Sequence, residues 1–509
     1  MLPQASGIRE QQFSTMRESN ELKNLEQNYE NAILALNRLQ SNFSVLKDSI
    51  AKKHQNENKH ISDTIKYLER VDISLDMLDK LPAIHISGTK GKGSTCAMVE
   101  SILRASGYRT GFFSSPHLVS VTERIRLNGI PMSKNLFSEH FWRIYNAISA
   151  SRDHINDVPS YFCFLTILAF DVFLREKVDV CVIEVGIGGR YDCTNVLRKT
   201  STIGISSLGL EHTKLLGSTL EDIAWQKAGI IKPGSEVFTV IQPSQCIAVI
   251  EKECRKMQSK LHITPSQLAE YQWNPKHMIL TNTSKVFELN TSLAIQIATN
   301  WIQKTCPKFQ PKPETMVISK EIAYGINNCF WPGRLQQISQ DSSKTLYLDG
   351  AHTVESIVIC GDWFRSQSDS KHKRLLIFNT TGERDSSQLL STLSRMIQFD
   401  AAFFVPNVPS SAGVWADAIN HNFPLELQLQ RCKQNCAIWV DTLKNMHAYV
   451  HDSIESVFEQ IERETLHVEE PCDILITGSI HLIGATFTAL KLEKYVYPST
   501  LQNPQNIPS

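Results

Sequence analysis

The run Gly88-Thr89-Lys90-Gly91-Lys92-Gly93-Ser94-Thr95 combines residue types that can hold a phosphorylated ligand. Closely spaced glycines let backbone N–H groups approach phosphate oxygens, and the start of a following helix adds partial positive charge. Gly88, Thr89, Gly91, Gly93 and Ser94 would build that cradle, and Lys92 would sit on the β- and γ-phosphates of a nucleotide. The common spacing is not strictly met. Its first glycine would fall on Ile86, and Gly93 separates Lys92 from Ser94. A glycine-rich turn carrying surface lysines is the plain alternative.

Glu184 closes an apolar stretch and is the second candidate. A carboxylate at a strand end can hold Mg²⁺, because hard cations take oxygen ligands. It can equally cap a turn. Ser115 before Pro116 reads as a turn residue, His212 as a satisfied polar side chain, and Lys227 as a lysine favoured at a helix C-terminus by the dipole.

These groups need a frame to bring them together. Ala83 to Ser87 reads as a strand, and Thr95 to Ala105 as the helix after the glycine-rich turn. Val178 to Val185 is a second buried strand, ending in Gly186, Gly188 and Gly189, and Thr202 to Leu208 is a third. Ser218 with Glu221 forms a capping-box pattern for a helix ending before Gly229. Short apolar strands alternating with helices predict an α/β fold with a mostly parallel sheet. Trp331-Pro332-Gly333 interrupts the pattern, and the polar stretch Ser339 to Lys344 is the expected linker. A second α/β series follows, with strands at Thr345 to Leu348, Leu375 to Phe378, Ala402 to Val405 and Ile474 to Thr477. Upstream, Glu21 to Lys53 and Ile61 to Asp79 read as helical regions around a polar break. The expected organisation is a nucleotide-binding domain with a helical N-terminal extension over 1–335, a smaller domain over 345–496 and a loose tail over 497–509.

Bulk properties restrict the function classes. A chain of 509 residues needs two or more cores, and its 42% hydrophobic and 20% charged residues are those of a soluble globular protein. Basic and acidic residues balance at 52 each, so no global field favours nucleic acid or an anionic membrane. The 12 cysteines form no CxxC pair, with Cys432 and Cys436 standing alone, which reads as reduced thiols. Tyr161 to Leu174 is short and interrupted by Asp171, so it predicts a buried helix and not a membrane span. The first residues mix Arg9 and Arg17 with Glu10 and Glu18 and lack an apolar signal core. A cytoplasmic location is expected; Met16 could serve as an alternative start, and an alternative start would allow a mitochondrial form. The run Lys371-His372-Lys373-Arg374 reads as a solvated charged end that could also touch an anionic tail.

The phosphate loop resembles the variant loop of the Mur ligase and folylpolyglutamate synthase superfamily. Further matching segments follow in family order: Ser114-Ser115-Pro116-His117-Leu118, Glu123-Arg124-Ile125, Glu184-Val185-Gly186-Ile187-Gly188-Gly189, Tyr191-Asp192-Cys193-Thr194-Asn195-Val196, Leu208-Gly209-Leu210-Glu211-His212 and Gln226-Lys227-Ala228-Gly229-Ile230. Beyond these come Trp331-Pro332-Gly333-Arg334, Asp349-Gly350-Ala351-His352, Asn379-Thr380-Thr381-Gly382-Glu383-Arg384-Asp385 and Thr477-Gly478-Ser479-Ile480-His481. The N-terminal extension and the Asp349-Gly350-Ala351-His352-Thr353 wording resemble the eukaryotic members. Glu211 departs from the family, which usually has Asp there.

The resemblance implies an N-terminal P-loop ATPase domain with a parallel sheet, a smaller Rossmann-like C-terminal domain, and ATP-dependent ligation of L-glutamate to a reduced folate. It implies Mg²⁺ on Ser115, Glu184 and His212, the nucleotide also on Arg334 and Asp349, and a carbamate on Lys227. Lys92, Lys227 and His212 are then the candidate catalytic groups. His352, Arg384 and His481 would hold the incoming glutamate or the closed form. Tyr161-Phe162-Cys163-Phe164 and the Ser115 loop are candidates for the pterin side, with a buried hydrophobic helix as the alternative for the aromatics. A dihydrofolate synthase and a non-catalytic nucleotide-binding protein are the competing readings.

Overall fold

A computed structural model describes residues 27–40, 59–274, 284–306, 317–340, 343–381, 384–411, 424–443, 447–465 and 471–497. Most of the expected helical region before Lys53, the Gly382-Glu383 pair and the tail past Tyr497 lie outside the described residues.

The first domain is built on strands β1 (Ala83–Ser87), β2 (Thr110–Phe113), β3 (Ile125–Leu127), β4 (Ile130–Pro131), β5 (Val180–Glu184), β6 (Thr202–Ile205), β7 (Glu236–Thr239) and β8 (Lys260–Ile263). Their order in the sheet is β4-β3-β2-β5-β1-β6-β7-β8. The pairs from β2 to β8 are parallel, and β3 and β4 add an antiparallel margin. β1 and β5 are buried at every position, because helices cover both faces of a parallel sheet. That burial is why both read as near-continuous apolar runs. Besides Ser87, the polar residue in β1 is His85. Its Nε2 meets Thr194 Oγ1 at 2.8 Å, and burial pushes its pKa down to about 3, so the ring is neutral.

Helices α1 (27–37), α2 (Lys59–Glu69), α4 (Lys134–Ala150) and α5 (Tyr161–Arg175) share one apolar core on one side of the sheet. Helices α3 (Lys92–Ala105) and α7 (Lys285–Thr305) share another core with β1 residues Ile84 and Ile86. Phe164, Phe170 and Phe173 of α5 are fully buried, each contributing roughly 1.5–3 kcal/mol. The apolar run is thus core, as expected. No helix among the described residues is long and apolar enough to cross a membrane.

Three local expectations are corrected. Helix α6 (Leu220–Ala228) is capped by Thr219 and Asp222, one residue on from the expected Ser218–Glu221 pair. Both pairs satisfy the same four-residue pattern, and Ile223, Ala224, Lys227 and Ala228 facing inward select between them. The region after Ile61 is two helices, because Asp72 adopts φ 61 and Ser74 caps a short turn over Leu75–Leu78. The polar stretch Ser339 to Lys344 is not the linker. It joins β9 (Gln336–Ser339) to β10 (Lys344–Asp349), which pair antiparallel with Leu348 opposite Gln336. Hairpin turns and linkers share a polar composition, and the deciding feature is Ile338, 2% exposed in the second core.

The second sheet adds β11 (Lys373–Phe378), β12 (Ala401–Phe404), β13 (Ala448–Val450) and β14 (Cys472–Thr477). Its order is β13-β12-β11-β14-β10-β9, parallel except for β9. Helix α8 (Ile480–Ala489) follows β14 and packs into the core shared with Ile474 and Ile476.

Candidate active site

Ligands of open parallel sheets bind beyond the carboxyl ends of the strands, where the strand order diverges. β1 lies between β5 and β6, and three loops meet at that end: Gly88–Gly91 after β1, the residues after Glu184 of β5, and Ser207–His212 after β6. Asp349 at the end of β10, Thr381 after β11 and Ser479 to His481 after β14 face them from the second domain. Together they line a cavity of ≈ 1700 Å³. Single small-molecule pockets are typically about 300–1,000 Å³, so this one has room for more than one substrate.

The phosphate loop is held from below. Thr89 and Lys90 donate their backbone N–H to Ser207 O at 2.9 and 3.0 Å. Thr89 Oγ1 donates to Gly209 O at 3.1 Å. Gly91 caps α3 at φ 83, and a Cβ there would lie 2.1 Å from Asn290 Oδ1, so both backbone and space require glycine. Lys92 begins α3 and curls back, its Nζ donating to Gly88 O at 3.0 Å. Gly93 leaves the space toward Glu184 open, since a Cβ there would lie 3.5 Å from Glu184 Oε2.

Glu184 is 4% exposed and accepts the Ser115 backbone N–H at 3.0 Å. Burial raises its pKa, and the nearby Lys92, the Ser115 N–H, Arg334 and Arg124 only partly offset that. An under-compensated buried carboxylate beside a phosphate loop has the chemistry of a hard-cation ligand. Ser115 stands next to it and His212 lines the same cavity. Among the described residues no three His, Cys, Asp or Glu side chains are gathered as a metal cluster. Mg²⁺ fits regardless, because it usually takes one or two carboxylates plus substrate phosphates and waters. His212 stands at φ 52 and opens onto the cavity. Desolvation by the cleft walls lowers its pKa, with Lys92 and Lys227 adding to the effect against Glu211.

Arg334 and Asp349 meet at the hinge. Asp349 accepts the Leu335 N–H at 2.9 Å, and Arg334 opens onto the cavity. His352, Arg384 and His481 line the second-domain wall. Burial, with Arg124 and Arg384 nearby, pushes His481 down to about 4.

Lys227 is placed differently from the other candidates. It is 4% exposed, beneath the phosphate loop, with Nζ donating to Gly88 O at 2.7 Å. Burial drives its pKa well below the usual lysine value, with Lys92 adding to the shift against Glu211 and Asp192. Of the aromatic run, Phe162 lines the cavity, whereas Cys163 and Phe164 belong to the core. The Lys371–Arg374 run lies at the amino end of β11, away from the cavity, with His372 Nδ1 3.3 Å from Asp473. It is a charged strand end, and the tail contact is not supported. Asn290 of α7 was missed. It is 4% exposed, and its Oδ1 has no hydrogen-bond partner at the cavity wall beside Gly91. Its signal was a buried amide beside Leu289 and Leu293, blurred by the equally buried Thr291 and Ser292.

The sequence aligns with curated relatives along most of its length. It is 42% identical over 442 residues to the mitochondrial folylpolyglutamate synthase of Bos taurus, covering 81% of this chain and 74% of that one. The chain belongs to the folylpolyglutamate synthase family. It is an ATP-dependent ligase of that type. The human mitochondrial member is 40% identical over 81% of this chain and 73% of its own. A Saccharomyces cerevisiae folylpolyglutamate synthase is 34% identical over 93% and 88%. No protein-family model matches the chain. The fold is that of a Mycobacterium tuberculosis folylpolyglutamate synthase complexed with ADP and AMPPCP, at TM-score 0.66 and 22% identity over 84% of this chain and 94% of that one. It is also that of E. coli FolC in complex with DHPP and ADP, at TM-score 0.64 and 20% identity over 90% and 99%.

Proposed function

We propose that the chain joins L-glutamate to the γ-carboxylate of a reduced folate or folylpolyglutamate, using ATP through an acyl phosphate. The observation that carries this reading is one shared cavity. It has a phosphate loop with Lys92 on one wall, Arg334, Arg384 and His481 on the facing wall, and Phe162 further along. Two polyanions and an aromatic ring can occupy it together.

Gly88, Thr89, Gly91, Lys92, Gly93 and Ser94 hold the ATP phosphates, Arg334 and Asp349 the phosphate and ribose, and Asn290 Oδ1 accepts the purine amino group. Ser115, Glu184 and His212 hold Mg²⁺. When bound, the ion supplies positive charge to the transferring phosphoryl group. Lys92 stabilises that group as a folate carboxylate oxygen bonds to the γ-phosphorus and the β–γ bridge breaks, releasing ADP. The neutral amine of glutamate then attacks the acyl carbon. The C–N bond forms, the C–O bond to phosphate breaks, and the amine's proton leaves with the phosphate. The second domain excludes water, which would hydrolyse the acyl phosphate. A carbamate on Lys227 belongs to this reading, since the depressed pKa supports the neutral amine that reacts with CO₂. The names of the bovine and human relatives support a mitochondrial form.

Incubation with tetrahydrofolate, ATP and glutamate, read by product mass, tests the proposal. A product heavier by one or more glutamyl residues, with ADP release requiring both co-substrates, supports it. ADP release indifferent to folate, or glutamate joined only to dihydropteroate, overturns it.

A further inference from the structure

The loop that carries Ser115 is pinned at two places. At one end Ser114 N–H donates to Arg124 O at 2.9 Å and Ser115 N–H to Glu184 at 3.0 Å. At the other end the Glu123 carboxylate, 3% exposed, gathers three successive backbone donors. Leu118 N–H reaches Oε2 at 2.9 Å, and Val119 and Ser120 N–H reach Oε1 at 2.8 Å each. A fourth donor comes from the far end of the described chain, where the Tyr497 hydroxyl donates to Glu123 Oε1 at 2.8 Å.

Tyr497, expected as the first residue of a loose tail, belongs instead to the second domain. It packs against the same core as Ile338, Leu482 and Ile483, and Leu118 of the first domain is buried in that core as well. Leu118 fits there because α8 has no side chain at Gly484. A Cβ at that position would lie 1.9 Å from Leu118 O. The segment before Tyr497 also reaches the hinge. Gln336 Nε2 donates to Tyr495 O at 3.1 Å, and Gln336 Oε1 accepts the Gly333 N–H at 2.8 Å. The loop from the first domain is therefore seated in a socket of the second, between Gly484 and Tyr497.

We propose that Tyr497 is a positioning residue of the ligase reaction: its hydroxyl holds Glu123, which seats Leu118 to Ser120 in the second domain and so fixes Ser115 beside Glu184 at the phosphate end of the cleft. The inference rests on the ligase reading for its effect on turnover. The socket itself does not depend on that reading.

Tyr497→Phe removes one hydrogen bond to a carboxylate and keeps the ring. In the free enzyme, amide exchange at Leu118, Val119 and Ser120 should accelerate about tenfold, with the melting temperature and exchange elsewhere unchanged. In turnover, kcat/KM for the folate substrate should fall about tenfold while KM for ATP holds. Gly484→Ala reaches the same loop from the other side and should also speed exchange at these amides, with a lower melting temperature because the added Cβ meets Leu118 backbone. Wild-type exchange at these three amides in both variants overturns the proposal. So does, in Tyr497→Phe, a uniform rise in exchange with a lower melting temperature and no selective change in folate kinetics. Because exchange is read without substrate, a failed folate reading would leave that arm intact.

Discussion

Glu211 and His352, 141 positions apart in sequence, face one another across the cleft with Oε1 and Nε2 3.3 Å apart. Lys90 Nζ lies 3.3 Å from that carboxylate oxygen and 3.4 Å from that ring nitrogen. His352 Nδ1 is 2.7 Å from Gly350 O, and a carbonyl can only accept, so Nδ1 carries a proton. Burial lowers the His352 pKa, with Arg384 and Lys90 adding to the effect against Glu211. Lys90 donates to Glu211 beside the ring. A lysine of the phosphate loop bridges the two domains.

Glu211→Gln should loosen this clasp. Burial alone would raise the Glu211 pKa, but His352 and Lys90 outweigh it and hold it below the carboxylate range. A carboxylate lowered on folding stabilises the protein above its unfolded pKa of about 4.3, and that stability is lost as pH falls toward the folded value. The melting-temperature gap between wild type and variant should be full near pH 7 and close on acidification below about pH 4. A gap that widens in acid would contradict the clasp.

Lys92→Ala should reduce kcat by about 10²–10³ while the fold persists. The expected melting temperature is within about 2 °C of wild type, because among the described residues the hydrogen bonds of Lys92 go to the Gly88 and Thr89 carbonyls. Near-normal turnover would remove it from the phosphate site.

Glu184→Gln separates function from stability. The folded pKa is raised, so ionising this carboxylate opposes folding as pH rises through and above the unfolded value. Gln keeps the shape and deletes the charge. The ligand-free variant should melt at or above the wild-type temperature near pH 7. It should also lose the extra stability that MgATP confers, about 2.7 kcal/mol at a hundredfold excess over Kd. Retained MgATP stabilisation would make Glu184 structural.

Lys227 has two roles to separate, as anchor of Gly88 or as carbamate. Its folded pKa lies below its unfolded value, so the unfolded chain holds more protons between them. This lysine's contribution to stability therefore rises with pH through that window. Lys227→Ala should be nearly inactive in either case. Partial rescue by a short carboxylic acid, and carbonyl signal from labelled bicarbonate in the wild type, identify the carbamate. A bare amine in active, bicarbonate-supplied enzyme excludes it.

Asn290→Leu should raise KM for ATP about tenfold and weaken preference for adenine over guanine nucleotides. Since Oδ1 has no protein partner, the variant should be as stable as wild type or more so. Unchanged nucleotide kinetics would remove Asn290 from the base pocket.

The buried strands β1 and β5 were legible because parallel strands covered on both faces are written in apolar residues. The loop after β1 was legible because backbone contact with phosphate requires glycine at fixed places. The partners of those groups were not. Nothing local in Asn290 points to Gly91, and nothing in Glu123 points to Tyr497. Such pairs are made by sheet order and domain docking, which bring distant segments together. The expected linker failed for a related reason, since the polar residues after Ser339 say only that the chain turns, not which sheet it turns within.

The contact between Glu123 and Tyr497 spans 374 positions. A ribosome completes the phosphate loop, Glu184 and His212 long before it adds the residue that steadies the Ser115 loop. Domains fold in turn as they are made, so the first can be fully formed and still lack this prop. A chain clipped before Tyr497 would then still bind nucleotide while ligating less efficiently, and full competence would arrive only once Tyr497 is in place.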